Sequence, residues 1–60
     1  MQITWTNCAD AMPPDDELLP IILYDMGNLS VINAAWLYCI NKPNAKWCEY
    51  TPEKWKELNK

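Results

Sequence analysis

Sixty residues hold one small domain, residues 1–60, and no second one. Half the chain is hydrophobic and 22% is charged, a balance that folds rather than stays disordered. With no His, no Arg and Gly27 as the only glycine, imidazole chemistry, bidentate phosphate forks and Gly-rich phosphate loops are all excluded.

A domain of this size buries only about 60% of the surface its unfolded chain exposes. Charge is divided along the chain. Asp10, Asp15, Asp16, Glu17 and Asp25 fall in residues 1–30, and all five Lys follow position 41. The net charge of −3 and the missing Arg predict no direct nucleic-acid binding. The longest apolar runs, Ile21–Tyr24 and Ala34–Ile40, are far short of the ~20 residues a bilayer span needs. Met1-Gln2-Ile3-Thr4-Trp5 has neither a basic start nor an apolar signal core. The expected setting is the cytoplasm, with Cys8, Cys39 and Cys48 as reduced thiols.

In chain order, Gln2–Trp5 is β-prone. Thr6 or Asn7 suits the cap of one helical turn with Asp10 as its acid, and Pro13-Pro14 stops it. Asp15-Asp16-Glu17 reads as a charged loop. Pro20 suits the start of a strand through Tyr24, with β-branched Ile21 and Ile22 inside it. Asp25-Met26-Gly27-Asn28 is a turn, with Gly27 and Asn28 as the residues that accept positive φ.

Leu29–Ile40 admits two readings. As a strand it is apolar on both faces, with Trp36 and Tyr38 on the same side. As a helix it is capped by Ser30 and carries a stripe of Ile32, Ala35, Trp36, Cys39 and Ile40. The preceding turn favours the strand. Asn41-Lys42-Pro43-Asn44 is a second turn, Ala45–Tyr50 a third strand, and Thr51 caps a short helix that begins at Pro52.

The expected fold is therefore a small α+β domain: a three-stranded antiparallel meander (about 20–25, 29–40 and 45–50) with a short C-terminal helix. The alternative is a hairpin with a central helix at 30–41. In the meander, Cys39 faces Cys48 across adjacent strands. Three cysteines without His fall short of a usual metal site, so no metal and no cofactor is expected.

Seven aromatics in so short a chain exceed what its core can cover. Trp36 and Tyr38 are accordingly candidates for a partner contact. Asp15, Asp16 and Glu17 are either solvated loop charges or a lure for a basic partner surface. Consecutive carboxylates imply no fixed acid–base geometry, so no catalytic residue is expected and the chain is read as non-enzymatic.

Three stretches resemble a family of small bacteriophage and prophage proteins of unknown function. Trp5 is followed by Met12-Pro13 and by the acidic Asp15-Asp16-Glu17. Ile21-Ile22-Leu23-Tyr24-Asp25 is similar to the family's strand ending in Asp. Asn28–Trp36 and Trp47–Pro52 follow its outline of an aromatic-rich second strand and a late Trp. The family's Gly-rich first turn and Pro-rich end are not matched. The resemblance implies a phage-type accessory protein in the host cytoplasm that binds and modulates a host protein, a defence or nucleic-acid enzyme being one class of target. The competing expectation is a structural accessory protein that forms a homo-oligomer.

Overall fold

The computed structural model describes residues 2–59. Strand β2 (Pro20–Asp25) is the centre of the sheet and its most buried strand. Ile21, Ile22 and Leu23 are all buried, so β2 faces protein on both sides. A two-residue turn at Met26-Gly27 folds the chain back into β3 (Asn28–Asn33), in register from Asp25↔Asn28 to Pro20↔Asn33. Met26 and Gly27 take positive φ, 51° and 83°. Both central residues of a type I′ hairpin turn need that conformation. The expected pair, Gly27 and Asn28, is thus displaced by one position. Asn28 is already paired in the ladder.

Leu29–Ile40 is neither one strand nor one helix. β3 ends at Asn33, and α1 (Ala34–Ile40) begins at the next residue. Two adjacent alanines favour helix at this point, as residues that lose no side-chain entropy there. The opening N–H groups of α1 are bonded through the backbone of an upstream loop. Ala34 N–H donates to the Leu19 carbonyl at 2.8 Å and Ala35 N–H to the Asp16 carbonyl at 3.3 Å. The Asn33 side chain makes no cap bond. Ala34 and Leu37 are the buried residues of α1, and Ile40 packs against the same core. This stripe is out of phase with the one predicted around Trp36 and Cys39. Asn41, at φ 49°, closes the helix in the left-handed conformation that Asn tolerates.

α1 carries the chain past β2, so β4 (Lys46–Glu49) pairs with β2 on the side away from β3. With β1 (Thr6–Asn7) outside β4, the sheet has the order β1-β4-β2-β3 and every pairing is antiparallel. The expected strands thus share one antiparallel sheet in an α+β domain, but not as a meander. A meander would set β4 beside β3. Here the intervening helix lets β4 reach the other flank of β2. The Gln2–Trp5 stretch lies before β1 rather than within a strand.

One face of the sheet holds Ile21 and Leu23, which form a core with Cys8, Ala34, Leu37 and Ala45. The register places Ile22 opposite both Val31 and Cys48, on the other face. Trp5 and Tyr24 meet there with ring centroids 5.9 Å apart. The chain ends in α2 (Pro52–Leu58), where Thr51 Oγ1 accepts from Lys54 N–H at 3.2 Å. Pro52 at the first position and Glu53 in the first turn complete the expected start of that helix.

Candidate functional site

The acidic loop is ordered by its own hydrogen bonds. Asp16 Oδ1 accepts from Leu18 N–H at 2.8 Å, forming an Asx turn. Asp16 N–H donates to the Pro14 carbonyl at 2.9 Å. The Asp16 carbonyl accepts from Leu19 and, across the fold, from Ala35. The tight turn sends two neighbouring leucines in opposite directions. Leu19 packs against the core, and Leu18 is 90% exposed.

Leu18 forms a ridge between two open grooves. One, of about 370 Å³, is lined by Glu17, Leu18, Asn33, Ala35, Trp36 and Cys39. The other, of about 400 Å³, is lined by Glu17, Leu18, Pro20, Val31, Ile32 and Asn33. Trp36 is 55% exposed. An apolar ridge with Glu17 at its rim is therefore built where the loop meets the β3–α1 junction.

The structure separates the two aromatics that were expected together. Two residues along a helix turn the direction by about 200°. Trp36 lines the Leu18 groove, and Tyr38 lines a different one with Met12 and Lys42. Tyr38 is 47% exposed, and its hydroxyl donates to the carbonyl of Pro13. Trp47 Nε1 holds the same segment by donating to the Ala11 carbonyl at 2.8 Å. Glu17 reaches the Trp36 groove, and Asp15 and Asp16 are exposed beside it in the loop.

The cysteines do not converge. Cys39 lies exposed on α1, and Cys48 is buried in β4 opposite Ile22. The predicted cross-strand pair is therefore not formed, because residues 34–40 are helix rather than strand. Cys8 is buried in the core. Burial pushes the Cys8 thiol above its ordinary pKa, with the Asp25 charge adding to the effect. Burial also raises that of Cys48, against a smaller opposing pull from Lys54. Among the described residues, no three His, Cys, Asp or Glu side chains are grouped to hold a metal ion. No described helix is long and apolar enough to cross a membrane.

Leu18 was not singled out by sequence. Its only signal is the pair Leu18-Leu19 between an acidic run and a proline, where one leucine must turn away from the other. Comparison with protein families, curated proteins and solved structures finds no match to this chain.

Proposed function

We propose that this chain is a non-enzymatic, phage-type accessory protein that binds and modulates a host protein. The observation that carries the reading is that Leu18, almost wholly exposed, and Trp36, half exposed, line one groove with Glu17 at its rim. Leaving a leucine such as Leu18 in water forgoes about 1.5–3 kcal/mol of burial free energy, and the exposed half of Trp36 adds to it. A partner surface recovers it, and Trp is the residue type most often found as an interface anchor. The carboxylates of Asp15, Asp16 and Glu17 add attraction for a basic target. The ridge, rather than the aromatic pair Trp36–Tyr38, is the contact surface in this reading.

Affinity capture from a host lysate, with wild type and Leu18→Asp compared side by side, tests it. A partner held by wild type and lost with a folded Leu18→Asp variant supports the reading. Equal capture by both removes it. Self-assembly is the competing reading, since an exposed ridge can also meet a second copy. Light scattering that shows a monomer at high concentration eliminates self-assembly.

A further inference from the structure

The two edges of the sheet are finished differently. β1 is two residues long and offers little backbone to pair. β3 has six residues, no charged side chain, no proline and no bulge in its register with β2. Natural edge strands are usually shortened, charged, bulged or covered, because a bare edge recruits further strands. Among the described residues, no strand pairs with the outer edge of β3.

The direction of its free groups follows from the register. Asp25 and Asn28 flank a two-residue loop, so they exchange both ladder bonds. Alternation then turns the N–H and C=O groups of Leu29 and Val31 outward. Tyr50 N–H donates to the Pro20 carbonyl at 3.2 Å, which sets the same phase from the far side of β2. The groove beside Val31, Ile32, Pro20 and Leu18 lies along this edge and can receive alternate side chains of an added strand.

Charge selects the occupant. Asp15, Asp16 and Glu17 lie at the Asn33 end of β3, and no Lys precedes position 42. At the opposite end Lys42 already pairs with Asp25 at 3.4 Å. A second copy paired antiparallel on this edge would set its acidic loop beside a lysine already neutralised by Asp25, would offer no cation to Glu17 from its own β3, and would carry the same net charge of −3. We infer that β3 accepts an extended segment of a partner protein as a fifth strand, with apolar side chains in the Leu18–Val31 groove and Lys or Arg beside Glu17. This rests on the protein-binding reading above and specifies its geometry.

The test is a nuclear magnetic resonance titration of the full chain with a short peptide of alternating Lys and Val, and with its Glu–Val counterpart. The expected result is slowed amide exchange at Leu29 and Val31 and shifted signals at Leu18 and Trp36, with the Lys–Val peptide alone. Two variants accompany it. Val31→Pro removes an outward N–H, which edge strands tolerate, and Val31→Lys adds the charge that protected edges carry. Each should weaken the Lys–Val peptide at least tenfold. Undiminished binding by either folded variant overturns the proposal, as does equal binding of both peptides or no change at Leu29 and Val31. Protection of these amides that grows with protein concentration alone assigns the edge to a second copy and also overturns it. If Leu18→Asp loses the captured host partner while both Val31 variants retain it, strand addition fails and the protein-binding reading stands. If all three retain it, both fail.

Discussion

Trp36 and Leu37 are neighbours in α1, yet they belong to different surfaces. Leu37 is fully buried against Ile21, Leu23 and Ala34. Trp36 stands half in water and lines an open groove with the exposed Leu18. Helical geometry places about 100° between them, enough to move from the core to the outer groove. The inner stripe holds the sheet and helix together, while the outer ridge adds little to that task. If the outer groove is the contact surface proposed above, stability and recognition can be altered separately within one short helix.

Thiol labelling gives the widest separation of the two surfaces. Cys8 sits in the inner core and Cys39 lines the outer groove. Iodoacetamide should modify Cys39 in the native protein, with Cys8 and Cys48 reacting at least about 100-fold more slowly, through unfolding. Peptide mapping after timed alkylation reads this directly. Because burial raises the pKa of Cys8 and Cys48, folding favours their neutral form. That contribution is complete below the ordinary thiol pKa and declines as pH rises through it toward the raised values. Comparable labelling of Cys8 and Cys39 would erase the distinction between core and groove.

Leu37→Ala should cost about 2–5 kcal/mol, seen in the urea midpoint, as the loss of a fully buried leucine and the cavity it leaves. A domain this small has little more than that to lose. On the outer side, the combined change Asp15→Asn, Asp16→Asn and Glu17→Gln should slow association with a basic partner several-fold, most at low salt. The asparagine that replaces Asp16 in that variant keeps a side-chain oxygen for Leu18 N–H, so the loop itself should persist. Stopped-flow rates across a salt series check this, and salt-independent association would leave the three acids as solvated loop charges.

The reason the segment 29–40 resisted reading lies in those same side chains. Leu29–Asn33 turns its side chains with the two-residue repeat of a strand and Ala34–Ile40 with the roughly 3.6-residue repeat of a helix, yet Leu29-Ser30-Val31-Ile32-Asn33 does not alternate apolar with polar and both halves are rich in apolar residues. A single window averages the two periods. The decisive bonds, from Ala34 to Leu19 and from Ala35 to Asp16, come from a loop that sequence treats as unrelated. Pro20–Asp25, by contrast, was legible because its proline, β-branched pair and turn agree. The C-terminal helix was equally legible, since Thr51 and Pro52 are local signals. Counting aromatics against a small core implied that one or more reach the surface, and Trp36 is among those that do. The exposure of its partner Leu18 was not legible, because nothing in Leu18-Leu19 says which leucine turns out.

The smallest expected effect is at the hairpin tip. Met26 is 91% exposed and holds φ 51°, a conformation that favours Gly or Asn. Met26→Asn should stabilise the fold by about 0.5–1 kcal/mol while leaving the Leu18–Trp36 ridge unchanged. A thermal melt reads the gain, and a loss instead would mean that the Met26 side chain contributes more than its backbone costs.

The separation of the two surfaces is tested most directly by Trp36→Ala, followed in one preparation by urea unfolding and by binding to the captured partner. The account predicts an unfolding free energy within about 1 kcal/mol of wild type, since the side chain is half exposed, and binding weakened by about 2 kcal/mol or more. Destabilisation as large as that of Leu37→Ala with undiminished binding would contradict it, and would place Trp36 with the core.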